Sequence, residues 1–181
     1  MKITGGHTAE MLTLAKSFIP GHHGYYSPRR YVVAATDSMS STKAVRFEEE
    51  IELQYGNNSS RYSIRAIPRS REVGQSFLTS VFTTAWAAIN AVLAVLLFQP
   101  RLLLANGPGT CIPVIFICRI GRWVGLMPYC KVVYVESVAR VKHLSLSGKI
   151  LYKTGMTDAF MVQWEDLQSK YPKSIFCGRL M

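Results

Sequence analysis

Along this chain, short continuous apolar runs alternate with segments whose apolar positions recur every three or four residues. Runs of the first kind suit strands covered on both faces, and segments of the second kind suit helices with one buried stripe. Met11, Leu12, Leu14, Ala15, Phe18 and Ile19 share helical spacing behind a cap at His7 or Thr8, and Pro20-Gly21 ends the pattern. Residues 31–36 are a buried strand by pattern, and 42–53 a polar surface helix carrying Glu48, Glu49 and Glu50. A second strand covers 62–67, closed by Pro68, and a long apolar helix is expected over 75–98. Residues 102–105 form a strand entering Asn106-Gly107-Pro108-Gly109, and 110–123 a helix that tolerates Pro113 in its first turn. A buried strand at 131–135 ends at Glu136, and the pattern then predicts a helix at 144–152, a strand at 159–162, a short helix at 165–170 and a last strand at 174–177. Strands separated by helix-length crossovers pair in parallel. The expected fold is therefore α/β, with a doubly wound, mostly parallel sheet in a single domain over 1–181.

Composition narrows the class further. With 49% hydrophobic and 18% charged residues in 181, the chain has apolar surface enough to offset ordering entropy, which excludes disorder, and it lacks the repeats of collagen or coiled coil. A net charge of +10 calls for an anionic partner: nucleic acid, lipid headgroups or a pyrophosphate. No RNP, helix-turn-helix or zinc-finger pattern accompanies the charge, so nucleic acid is set aside. Cys111, Cys118, Cys130 and Cys177 sit mostly in apolar runs with no C-x-x-C pair, which predicts buried thiols in a reducing compartment and no metal site. Met1-Lys2-Ile3-Thr4-Gly5-Gly6 has no apolar core of a signal peptide.

Residues 81–98 run without a charge, at the edge of the length that spans a bilayer. A span would put the strand at 102–105 across the membrane from the one at 31–36, beside which it should pair. A helix packed on the sheet, with one face in the lipid interface, explains the same residues without dividing the domain. Arg69, Arg71 and Arg101 flank both ends, so the charges give no orientation.

Open α/β sheets bind ligands at the carboxyl ends of their strands, and three loops converge there. Gly5-Gly6-His7-Thr8 opens the first helix, where glycines allow close approach and unpaired N–H groups suit a phosphate; a plain turn capped by His7 is the alternative. Asn106-Gly107-Pro108-Gly109-Thr110 forms a rigid turn with polar side chains at the sheet edge, with or without ligand contacts. Glu136-Ser137 ends another strand. Glu136 is a candidate base or sugar-orienting carboxylate, against the plainer expectation of a solvated acid paired with Arg140. His22, His23 and His143 show no partner spacing. Arg69 and Arg71 precede the apolar helix, an arrangement that suits an anionic membrane surface or simply a solvated loop.

Several stretches together resemble a known family: Gly5-Gly6-His7-Thr8-Ala-Glu10-Met-Leu12, Ile67-Pro-Arg-Ser-Arg-Glu-Val73, Asn106-Gly-Pro-Gly-Thr-Cys-Ile-Pro113, Val133-Tyr-Val-Glu-Ser137, Leu144-Ser-Leu-Ser-Gly-Lys149, Phe160-Met-Val-Gln-Trp164 and Tyr171-Pro-Lys-Ser174. Over nearly its whole length the chain is similar to the membrane-anchoring subunits of the endoplasmic-reticulum UDP-N-acetylglucosamine transferase, which adds the second GlcNAc to GlcNAc-pyrophosphate-dolichol for N-glycosylation. The resemblance implies the N-terminal, acceptor-side half of a GT-B glycosyltransferase, recruiting a small catalytic donor-side subunit to the cytosolic face of the endoplasmic reticulum membrane and inactive alone. It implies no cofactor. It puts Gly5, Gly6, Thr8, Asn106, Gly107, Gly109, Thr110 and Ser137 at the acceptor and its pyrophosphate, with His7 first and Glu136 second as proton-handling groups; Arg69, Arg71 and Trp86 are expected at the membrane from the charge and apolar pattern of the 75–98 helix and its neighbours. Members of this family carry a hydrophobic anchor and then a strand before the Gly-Gly loop; here only Met1 to Thr4 precede it, so the anchor and most of that first strand are expected to be missing. The competing expectations are a self-sufficient glycosyltransferase and an integral membrane protein without a transferase role. The C-terminal Phe176-Cys-Gly-Arg-Leu-Met181 suits either docking on a partner or packing at the sheet edge.

Overall fold

The computed structural model describes residues 2–4, 8–16, 26–55, 61–68, 77–107 and 109–179. Among the described residues seven strands alternate with six helices: β1 (Lys2–Thr4), α1 (Thr8–Lys16), β2 (Arg29–Ala34), α2 (Ser38–Tyr55), β3 (Tyr62–Ile67), α3 (Phe77–Leu96), β4 (Leu102–Asn106), α4 (Cys111–Trp123), β5 (Lys131–Val135), α5 (Leu146–Thr154), β6 (Ala159–Val162), α6 (Glu165–Lys170) and β7 (Ile175–Phe176). All pair in parallel in the order β3-β2-β1-β4-β5-β6-β7. The strand order reverses between β1 and β4, which makes the carboxyl ends of those two strands the natural ligand crevice.

Where the sequence pattern leaves room for almost no first strand, Lys2–Thr4 form a short one at the centre of the sheet. Lys2 pairs with Tyr31 on one side and Leu104 on the other, and Ile3 with Val32 and Ala105. Ladders on both edges hold in place a strand too short to stand at a sheet edge.

The core lies on both faces of the sheet, as alternation along the strands requires. Leu103 and Ala105 point into the larger half with Val32, Val132, Tyr134 and Phe160, under Val95 of α3, Ile115 of α4, Leu151 of α5 and Leu167 of α6. Leu104 and Val135 point the other way, onto Met11 and Leu14 of α1, while Tyr31 packs with Ala44, Phe47 and Ile51 of α2. Edge strand β3 is the exception: most of its residues are exposed or half-buried.

Helix boundaries move for local reasons. The second helix begins at Ser38 rather than at 42 because Asp37 caps it, accepting from the Ser40 backbone N–H at 3.0 Å and the Ser40 hydroxyl at 2.6 Å. The fifth begins at Leu146 because Ser145 is its N-cap, accepting from Gly148 N–H at 2.9 Å. The expected extension of α1 to Ile19 lies outside the described residues.

Helix α3 packs on α4 and on β3, with Ala91, Ala94 and Val95 buried. Arg30 of β2 fixes its far end, donating to the Ala94 carbonyl at 3.1 Å with its guanidinium 4.6 Å from the Phe98 ring centroid. Trp86, Ile89, Leu93 and Leu97 recur at helical spacing and are exposed, Trp86 at 60%. Among the described residues, no helix is long and apolar enough to cross a membrane. The C-terminal segment takes the sheet-edge alternative: β7 pairs with β6, and Cys177 N–H donates to the Val162 carbonyl at 3.0 Å.

Candidate functional site

At the end of β4, Gly107 adopts φ 85°, a left-handed conformation that a side chain would strain, and the chain turns sharply away from Asn106. Asn106 is buried at the crevice edge and donates from Nδ2 to Glu10 Oε2 at 2.9 Å. Ser137, after β5, donates from its hydroxyl to the other oxygen of Glu10 at 2.9 Å and accepts from Ala139 N–H at 3.2 Å. One carboxylate in the first turn of α1 thus ties together the loops that follow β4 and β5. A helix N-terminus favours negative charge there.

Glu136 is 0% exposed. Its Oε1 accepts from Ser137 N–H at 3.1 Å, and its Oε2 accepts from both the backbone N–H and the hydroxyl of Ser145 at 3.0 Å. The carboxylate is therefore a bracket between the end of β5 and the start of α5, and the expected surface pair with Arg140 is not formed: Arg140 is exposed, and its backbone N–H donates to the Ser137 carbonyl. The bracket also explains Gly148, where a Cβ would lie 2.1 Å from Glu136 Oε2. The Tyr134 hydroxyl lies 3.3 Å from the Gly107 carbonyl, 3.3 Å from the Ser145 hydroxyl and 3.5 Å from Glu136 Oε1. Burial, then the Glu136 charge, push its pKa up, so it stays a phenol. Behind the turn, burial first and Glu136 second push the Cys111 thiol up to about 12. It is protonated at neutral pH and unsuited to nucleophilic chemistry.

On the other side of the crevice Thr8, at the start of α1, hydrogen-bonds to Ser40 through their hydroxyls, and Ser40 is held by Asp37. Of the residues singled out from sequence, the structure gathers Thr8, Asn106, Gly107, Thr110, Glu136 and Ser137 at the carboxyl edge, with Gly109 in the same turn. Trp86 stands apart on the exposed face of α3. Gly5, Gly6, His7, Arg69 and Arg71 lie outside the described residues. Sequence reasoning gave no role to Glu10, Tyr134 or Ser145, which hold the network together. The one signal for Glu10 was its place beside Met11 and one turn before Leu14, on the buried stripe of α1. Among the described residues, no group of three or more His, Cys, Asp or Glu could hold a metal ion.

Residues 3–180 match the family described as "Oligosaccharide biosynthesis protein Alg14 like". The chain is 46% identical to the UDP-N-acetylglucosamine transferase subunit ALG14 of Rattus norvegicus, over 98% of this chain and 80% of the rat protein. It is 45% identical to the subunit of the same name from Homo sapiens, with the same coverage, and 40% identical to that of Schizosaccharomyces pombe, over 97% of this chain and 79% of the yeast protein. With its doubly wound sheet and a match along nearly its full length, the chain belongs to the Alg14-like family of oligosaccharide biosynthesis proteins.

Proposed function

We propose that this chain is the acceptor-side subunit of a UDP-N-acetylglucosamine transferase in oligosaccharide biosynthesis, acting with a separate donor-side subunit on a GlcNAc-pyrophosphate-dolichol acceptor at the cytosolic face of the endoplasmic reticulum. The observation that carries this is the convergence of α1, the β4–α4 turn and the loop after β5 on one buried polar network at the switch point of the sheet. Relatives named as transferase subunits supply the chemistry. A two-lobed transferase closes its cleft between two doubly wound domains of about 150 residues each, and the described residues build one.

In this scheme Thr8 at the start of α1, Gly5 and Gly6 shortly before it in sequence, and Gly107, Gly109, Thr110 and Ser137 surround the acceptor and its pyrophosphate, using backbone N–H groups at helix starts. His7, between β1 and α1, handles the proton of the attacking hydroxyl. Glu136 keeps the loop after β5 in place, since its oxygens already accept from Ser137 and Ser145. The face of α3 with Trp86, Ile89 and Leu93, continued by Leu97 just beyond it and preceded in sequence by Arg69 and Arg71, rests on the anionic lipid surface.

Affinity purification of the full chain from a eukaryotic host tests the assembly. The expected result is stoichiometric recovery of a small UDP-GlcNAc-binding subunit. Recovery of the chain alone, with the donor-side subunit present in the lysate, would contradict it.

A further inference from the structure

We propose that Asn106, oriented by Glu10, is a specificity-determining residue that reads a hydrogen-bond donor, an O–H or N–H of the acceptor saccharide, and not a phosphate oxygen. An Asn side chain offers two donors at one end and an acceptor at the other. A carboxylate accepts only, so the end 2.9 Å from Glu10 Oε2 is the NH2 group, and a reversed amide would set oxygen against oxygen. Glu10 is itself anchored by the Ser137 hydroxyl on its other oxygen, so the choice is fixed from two sides.

The consequence falls on Asn106 Oδ1. Asn106 is 2% exposed, and among the described residues its Oδ1 is a buried acceptor with no donor. Buried polar atoms are nearly always paired, and the exceptions call for a functional account. This one lies at the end of β4, beside β1, where the strand order reverses and ligands bind. A pyrophosphate presents acceptor oxygens and would meet Oδ1 with repulsion. Sugar hydroxyls and the acetamido N–H are donors and complete it. Asn106 thus belongs to the saccharide end of the acceptor, and Glu10 is a positioning residue acting through it.

The inference rests on the acceptor-side function proposed above. Its test uses the full chain assembled with the donor-side subunit, and the acceptor GlcNAc-pyrophosphate-lipid beside analogues in which each sugar hydroxyl is replaced by hydrogen or the acetamide is N-methylated. With the unsubstituted chain one analogue should raise KM at least about tenfold. That analogue should lose nothing further against Asn106→Ala, while the others lose what they lost before. Glu10→Gln, which lets the amide turn, should blunt discrimination against the same analogue, read as the ratio of kcat/KM for the unmodified acceptor to that for the analogue within this variant, and it carries the test if Asn106→Ala does not fold. Equal losses for every analogue in both proteins would overturn the inference alone. Absence of transfer to the unmodified acceptor would overturn the functional proposal, and this inference with it.

Discussion

Glu48 and Glu10 are both buried carboxylates on the helices that cover one face of the sheet, and their surroundings differ in kind. Glu48 of α2 meets Arg29 of β2 as a two-point ion pair, Nε at 2.8 Å and Nη2 at 2.6 Å, and also accepts from the Tyr31 hydroxyl. Its partners lie 19 and 17 residues away, within one strand–helix unit. Glu10 takes Asn106 and Ser137 from 96 and 127 residues away. The first site closes a local unit and leaves its charge matched; burial, then the Glu48 charge, push the Tyr31 pKa up, so the phenol stays a donor. The second joins loops that arrive from separate parts of the chain, and its donors carry polar atoms to the crevice. A carboxylate fed by a cation behind a strand reads as architecture. One that takes an amide and a hydroxyl from two distant loops at the switch point reads as positioning.

The largest way to break this contrast is Glu48→Ala, which leaves Arg29 buried without its carboxylate. We expect a loss of about 3–5 kcal/mol in urea-induced unfolding, and a loss below about 1 kcal/mol would mean that the pair is not a structural anchor. Next comes Gly148→Ala, whose new methyl group meets Glu136 Oε2 at 2.1 Å. Overpacking against a carboxylate held on both oxygens should cost about 1–3 kcal/mol by the same measurement, and a neutral result would show that the bracket yields.

Asp158 sharpens the comparison from outside the core, its side chain 19% exposed. Partial burial pushes its pKa up, but the Val132 N–H at 2.8 Å, Arg122 at 2.6 Å and Arg119 outweigh it and hold the carboxyl below its usual value. A depressed folded-state pKa adds stability above the unfolded-state value, about 4 for Asp, and that stability is lost as pH falls through the folded value. Asp158→Asn should therefore cost about 1 kcal/mol at neutral pH, with the difference from the unsubstituted chain shrinking as the pH falls below about 4. A difference independent of pH would contradict the ion-pair account. The smallest effect on stability is expected for Trp86→Ser, within about 0.5 kcal/mol, yet it should reduce flotation with anionic liposomes. Unchanged flotation would remove α3 from the membrane contact.

Much of the framework was legible because each apolar run carries its own signal. The strands at 62–67, 131–135 and 159–162 and the helix at 165–170 fall where the pattern places them. The first strand was not legible, because three residues hold no periodicity and only their neighbours β2 and β4 make them a strand. Glu136 and Arg140 look paired four residues apart, but that rule needs a helix, and the segment is a turn over which the carboxylate folds inward. Asn106 and Ser137 were visible as polar residues ending strands. Glu10 was hidden, since an acidic residue in a first helical turn is ordinary in sequence and becomes a tether only once two distant loops arrive beside it.

The central claim is that this chain supplies the acceptor side of a two-subunit transferase. A time course of GlcNAc transfer from UDP-GlcNAc to GlcNAc-pyrophosphate-lipid, run with the purified chain, with the donor-side subunit, and with the two mixed, tests it most directly. The account predicts product only in the mixture. Turnover by this chain alone, or a mixture as inactive as its parts, would contradict it.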